Sequence, residues 1–491
     1  MLANALKRMP RSSALSRTRV LAQHMAMSSA AAAPANQDEA PVLFESDGPL
    51  RRYVLNRPKK HNALDSEMIS FLRPKIQEWD ESELCKIVVG TGKGKSFCAG
   101  GDVVAVIKNA ESEETRPKSV QYFKDEFELD YRLAQIKKPY ICVLEGNTMG
   151  GGVGLSAHAP FRIATETTVF AMPETKIGYC PDVGANHFLP LLDGEIGTYL
   201  GLTGEAIRGR AVFELGLATH FVPSRRVPQL LSLLGSMDEP TLAMINKAIE
   251  DHFGEPLAEE ARNPLIGDVR VALDTAFGHK TVEEILAALE KLGNSASADV
   301  GQWAKNTLAS LKLRSPTSLK VALEAIRRGK RLSLADALRM ELGIATAFLT
   351  GASRDFSTGV NKVLVDKLRD ERPPWDPTDL PEVTEEIVKR FFDDSPYVAA
   401  APTLNIEEDV ERMLHQTPMA FALPTEKEIG KRVRGEHPQS GAFALTLDDL
   451  VQTFRRLTKN KHGVEEKVRE VVQRRCDIIE DPGRNQCLRW K

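Results

Sequence analysis

The chain has 491 residues, 42% hydrophobic and 27% charged, enough for two or three folded units of ordinary globular composition. Its formal charge of -3 gives no general basis for binding DNA or an acidic membrane surface, and no apolar run approaches the roughly 18 residues that would span a bilayer. Six cysteines (Cys85, Cys98, Cys142, Cys180, Cys476 and Cys487) stand apart without C-x-x-C pairs, which argues against a zinc site or a disulfide framework and fits a reducing compartment.

Residues 1–37 contain no Asp or Glu, while Lys7, Arg8, Arg11, Arg17 and Arg19 punctuate a Leu-, Ala- and Ser-rich stretch. This is the pattern of a mitochondrial transit peptide, and Arg17 and Arg19 interrupt the apolar core that a secretory signal would need. The mitochondrial matrix is the expected location. A linker-like AAAAPANQDEAP at residues 30–41 then precedes the folded body.

From residue 41 to 222, short apolar strands alternate with helical segments, the signature of an α/β architecture. Arg52 to Leu55 reads as a strand; Asp65 then caps a helix with Met68, Ile69, Leu72 and Ile76 on one face. Lys86 to Val89 is a buried strand, followed by the loop SFCAGGD. The pattern repeats with Tyr140 to Leu144, a glycine turn at Gly150, Gly151 and Gly152, and the helix start VGLSAHA. Over residues 223–394 helices dominate; the clearest starts at Ser333 with Asp336, carries an apolar stripe of Leu334, Leu338, Ile344 and Phe348, and ends at Gly351. After the linker SPYVAAAPT, residues 395–491 form a further helical appendage. Fifteen Lys or Arg against eleven Asp or Glu over residues 421–491 leave it mildly basic.

The glycine turn carries the chemistry. Glycines at a strand-to-helix junction let a ligand approach the main chain without meeting a Cβ, and the free N–H groups of the helix start suit an anionic oxygen. A dinucleotide fingerprint would need glycine at position 155, which is Leu155, and no Gly-Lys-Ser/Thr follows for a P-loop. About twenty residues on, MPETKIGYCPDVG supplies Glu174 and Asp182 in a proline-rich loop.

LNRPKKHNALD, SFCAGGD, TMGGGVGLSAH and MPETKIGYCPDVG, in this order, resemble the crotonase (enoyl-CoA hydratase/isomerase) superfamily. The TMGGGVG, MPET and PDVG phrases, with DFSTGVNKVLVDK and PPWDPTDL further on, are more similar to its 3-hydroxyisobutyryl-CoA hydrolase branch. The resemblance covers roughly residues 41–394. It implies a spiral of ββα repeats that binds an acyl-CoA, with the thioester oxygen between the backbone N–H groups of Gly101 and Gly151. Such donors stabilise the charge that develops on the oxygen.

Hydratases of the superfamily use two glutamates, and the first of those positions is Gly154 here. Glu174 keeps the second, and Asp182 matches the hydrolase branch. The resemblance implies that Glu174 acts as nucleophile or as general base, that Asp182 assists proton traffic, and that Glu126 in KDEFELD contacts the 3-hydroxyacyl group. The implied reaction is hydrolysis of 3-hydroxyisobutyryl-CoA in valine catabolism, with no metal or separate cofactor, CoA being part of the substrate. Lys176 and the run Ala185, Asn186 and His187 depart from the branch. His158 and His187 show no metal or triad spacing. Cys98 and Cys180 read as buried fillers, and Lys59, Lys60, Lys93 and Lys95 as candidates for CoA phosphates. Fungal relatives of the branch are associated with the small subunit of the mitochondrial ribosome, which the appendage would contact if this chain is a scaffold.

Overall fold

The computed structural model describes residues 39–393, 395–406, 417–438, 444–481 and 484–491; the expected transit segment over residues 1–37 lies outside the described residues. Ten strands build the first part of the chain: β1 (Val42–Asp47), β2 (Leu50–Leu55), β3 (Ile87–Gly92), β4 (Ser96–Cys98), β5 (Tyr140–Leu144), β6 (Asn147–Met149), β7 (Phe161–Ala164), β8 (Val169–Ala171), β9 (Ile207–Arg208) and β10 (His220–Phe221). They divide between a six-stranded sheet, β1-β2-β3-β5-β7-β10, and a four-stranded sheet, β4-β6-β8-β9. The chain alternates between them: β3 and β5 each run in the larger sheet, pass to β4 and β6 in the smaller, and continue into helix. This is the expected ββα spiral.

Side-chain alternation explains why the larger sheet is buried on both faces. In β5, Tyr140, Cys142 and Leu144 join the main core, whereas Ile141 and Val143 pack on the opposite face with Val89, Phe161 and Ile163. That second face is closed by Val227, Leu230 and Leu234 of helix Val227–Gly235 and by Ile245 and Ile249 of helix Leu242–Asp251. Parallel strands covered on both sides read as continuous apolar runs, as β5 does.

The capping residues act as their chemistry dictates. Asp65 accepts from the Met68 amide at the start of helix Ser66–Glu81, whose Met68, Ile69, Leu72 and Ile76 are all buried. Ser333 accepts from the Asp336 amide at the start of helix Leu334–Leu349. One local expectation changes: the strand before the glycine turn is β6, not β5, because the chain crosses between sheets at Gly146.

Beyond β10, helices predominate among the described residues up to residue 475. The expected helical appendage holds helices Glu426–Val433, Leu447–Leu457 and Val464–Arg475, and it also ends in an antiparallel hairpin, β11 (Cys476–Asp481) and β12 (Arg484–Trp490). This tail is packed on the earlier domain. The Arg162 side chain of β7, fully buried, donates to the carbonyls of Ala159 (2.7 Å), Leu217 (2.9 Å) and, in the tail, Pro418 (2.6 Å). Phe421 stacks on Phe161 with ring centroids 4.5 Å apart. Asp193 accepts from the Glu426 amide at 2.7 Å and pairs with Lys467 at 2.7 Å. No helix of the described residues is long and apolar enough to cross a membrane.

Candidate active site

A cavity of about 820 Å³ opens beside the glycine turn, and all five residues singled out from the sequence (Gly101, Glu126, Gly151, Glu174 and Asp182) line it. The smaller sheet brings them together. β4 delivers Gly100 and Gly101, and its parallel neighbour β6 delivers Gly150 and Gly151. The Gly101 nitrogen lies 3.4 Å from where a Cβ on Gly151 would stand. At Gly101 the bridge to Leu64 uses the Gly100 carbonyl and the Asp102 amide, and Gly151 is the first residue of helix Gly151–Ala157, so neither N–H belongs to the fold's own hydrogen bonds. Glycine is required on geometric grounds. Gly150 has φ +44°, and a Cβ there would stand 2.9 Å from Glu174 Oε1; a Cβ on Gly151 would meet Glu126 Oε1 at 2.3 Å.

Glu174 opens a short 3-10 helix, Glu174–Ile177, and is 7% exposed with its Oε2 unpartnered among protein groups. Asp182 accepts from the Tyr179 hydroxyl at 3.1 Å, and Tyr179 is itself wedged between Phe356, stacked at 4.4 Å, and Phe348 at 5.3 Å. Val183, the next residue, is held at φ +57°, a left-handed conformation that a β-branched side chain adopts only under constraint. Glu126, on helix Arg116–Ala134, is 2% exposed rather than solvated, and its Oε1 has no protein partner.

Two further carboxyls stand behind these. Asp130, one turn on from Glu126, is 1% exposed with neither oxygen partnered, and its Oδ2 lies 2.5 Å from the Cβ that any larger residue at position 154 would carry. The volume left by Gly154 is therefore occupied by Asp130. Glu341, also buried, accepts from the Gly184 amide (2.7 Å), the Asn186 amide (3.1 Å) and the Asn186 side chain (2.8 Å). Asn186 is thus a fixed part of the support. His187 donates through Nδ1 to the Leu332 carbonyl at 3.1 Å, and none of Ala185, Asn186 and His187 lines the cavity.

The electrostatic consequence is a group of carboxyls whose titration is shifted upward. Burial, reinforced by the Asp182 charge, pushes Glu126 and Glu174 well above the usual carboxylate range; burial raises Asp182 to about 7 and Glu341 to about 8. Asp130 is raised by burial and then by Glu126. Burial lowers His158 to about 3, so it stays neutral. Cys98 and Cys180 are buried, as expected. Lys59, Lys60, Lys93 and Lys95 are exposed, and none of them lines the cavity. Sequence reasoning missed Asp130 and Glu341, although both sit on the buried stripe of their helices.

The family model for enoyl-CoA hydratase/isomerase matches residues 50–392. Over 93% of this chain and 91% of the relative, the sequence is 40% identical to the small ribosomal subunit protein mS47 of Neurospora crassa. It is 38% identical to the mitochondrial 3-hydroxyisobutyryl-CoA hydrolase of Homo sapiens, over 78% of this chain and 95% of that one. Among solved structures, a carnitinyl-CoA dehydratase from Mycobacterium thermoresistibile superposes with a TM-score of 0.64 at 31% identity, covering 75% of this chain and 99% of that one. An enoyl-CoA hydratase from Rhodobacter sphaeroides gives a TM-score of 0.63 at 29% identity, covering 74% of this chain and all of that one. With its α/β spiral, paired glycine loops and helical C-terminal region, the chain belongs to the crotonase, or enoyl-CoA hydratase/isomerase, family.

Proposed function

We propose that this protein is a crotonase-fold component of the small subunit of the mitochondrial ribosome that retains a thioester-hydrolase site. The observation that carries the first half is the reach of the likeness. Similarity to the Neurospora ribosomal protein spans 93% of the chain, whereas similarity to the human hydrolase spans 78%. The tail is also docked on the domain by buried charges, and so offers a partner a fixed surface. Sedimentation of mitochondrial extract tests this: the protein should travel with the small subunit, and recovery at the top of the gradient as free protein would overturn it.

The second half is favoured by the cavity. A thioester carbonyl oxygen placed between the Gly101 and Gly151 N–H groups gains two donors as negative charge develops on it. Glu174, in its ionised form, attacks the acyl carbon or takes a proton from the attacking water. Asp182, titrating near 7, assists the proton traffic: it takes the proton from Glu174 before the attack and passes it to the departing CoA sulfur. Glu126 accepts the hydroxyl of a 3-hydroxyacyl group. Water supplies OH to the acyl carbon and H to the thiol, giving the free 3-hydroxy acid and CoA. The expected substrate is 3-hydroxyisobutyryl-CoA, as in valine breakdown. Hydration of an enoyl-CoA is disfavoured, because position 154 has no carboxylate and Asp130 fills its place. Release of free thiol from 3-hydroxyisobutyryl-CoA is the assay, and full activity in Glu174→Gln would overturn the mechanism.

A further inference from the structure

Lys176 and Arg314 line the same cavity, and the mechanism above uses neither. Lys176 comes from the 3-10 helix that begins with Glu174; Arg314 comes from the turn between helices Ala298–Lys312 and Pro316–Gly329. Arg314 is 7% exposed, and it donates to neutral acceptors alone: the Thr203 carbonyl, at 3.1 Å from Nε and 2.9 Å from Nη2, and Ser310 Oγ at 2.7 Å. Among the described residues neither cation forms an ion pair with a carboxylate. Glu205 is the acid beside them, and its Oε1 accepts from Ser310 at 3.1 Å. Burial lowers both cations, Arg314 to about 10, and for Lys176 the proximity of Arg314 lowers it further. Arg369, Asp370 and Glu371 line the cavity too, but among the described residues neither of these acids pairs with Lys176 or Arg314, so two like charges stand partly out of water with no carboxylate bound to either, an arrangement that a bound anion relieves.

We propose that Lys176 and Arg314 form an anion subsite in the cavity wall, which takes a phosphate or carboxylate group carried by the thioester ligand. This rests on the thioester reading of the cavity. The anion has two chemical sources, the phosphates of the CoA moiety and a carboxylate at the far end of the acyl group.

Calorimetric titration of the full chain and of Lys176→Met separates the sources. The probes are CoA, pantetheine (which lacks the phosphates), and two non-hydrolysable pantetheine thioethers, one with a butyryl-like chain and one ending in a carboxylate. Loss of one charge-assisted contact weakens binding by about ten- to a hundredfold. A loss of that size for CoA but not pantetheine assigns the phosphates; a loss confined to the carboxylate-ended thioether assigns the acyl group. Lys176→Arg keeps the charge and most of the affinity in either case. The subsite is overturned if Lys176→Met binds every probe as the unaltered chain does, or loses affinity equally for pantetheine and CoA. If the unaltered chain binds neither CoA nor pantetheine, the thioester reading itself fails, and the subsite with it.

Discussion

Replacing Gly154 tests whether Asp130 has closed the hydration route. In Gly154→Ala the new Cβ would stand 2.5 Å from Asp130 Oδ2, 2.9 Å from Asp130 Cγ and 2.7 Å from Val183 Cβ, all closer than packed carbon tolerates. Overpacking of this kind costs about 1–3 kcal/mol. Asp130→Ala removes the obstructing carboxyl and leaves the Val183 contact, so the two changes compensate in part. The double variant should therefore be more stable than the sum of the single effects by about 1 kcal/mol or more. Denaturant unfolding of the four proteins measures this coupling. Additivity within about 0.5 kcal/mol would refute the steric argument. By the same geometry Gly154→Glu should gain no crotonyl-CoA hydration, and a stable, hydrating variant would refute it directly.

Glu174→Gln should lower hydrolysis of 3-hydroxyisobutyryl-CoA by about a hundredfold or more, measured as thiol release in steady state. Glu126→Gln should weaken binding of that substrate by about tenfold while leaving the non-hydroxylated isobutyryl analogue little changed; an equal loss for both would deny Glu126 its hydroxyl contact. Stability should fall as pH rises from about 4 to 8. Asp182 keeps its proton up to about 7 in the folded chain and releases it near 3.9 when unfolded, so its contribution is complete below that lower value and lost through 7, about 4 kcal/mol at most. Asp182→Asn should flatten the curve of unfolding free energy against pH, and an unchanged slope would remove the linkage. Asp193→Ala, which strips a partner from the largely covered Lys467 and from the Glu426 amide, should destabilise docking of the tail by about 3 kcal/mol and speed proteolysis within residues 417–491.

The spiral and the front of the site were legible because their signals are local. Glycine runs, a Pro-Glu turn and five-residue apolar strands are written in consecutive residues, and Gly101, Gly151, Glu174 and Asp182 fall where those phrases put them. Glu126, Asp130 and Glu341 are harder, since a lone carboxyl in a helix reads as solvated. The signal was their phase: Glu126 and Asp130 share a face with Tyr122, Phe123 and Phe127, and Glu341 continues the stripe through Leu334 and Leu338. Acids at buried helical positions are costly unless they serve a site. That Arg314 and Lys176 line one cavity was not legible, because 138 positions of chain separate two residues that share a wall only after the helical region folds back over the spiral. The terminal hairpin escaped for the opposite reason: CDIIED is too short and too charged to declare itself a strand.

The grip of Arg162 on the Pro418 carbonyl joins positions 256 residues apart, and it has a bearing on the order of events in the cell. Arg162 reaches its place when β7 enters the central sheet, and Asp193 reaches its own when the segment after the Pro-Glu loop is laid down. Until then the tail has nowhere to settle. A partner that recognised the settled tail would therefore bind only chains in which β7 and the segment after the Pro-Glu loop are already in place.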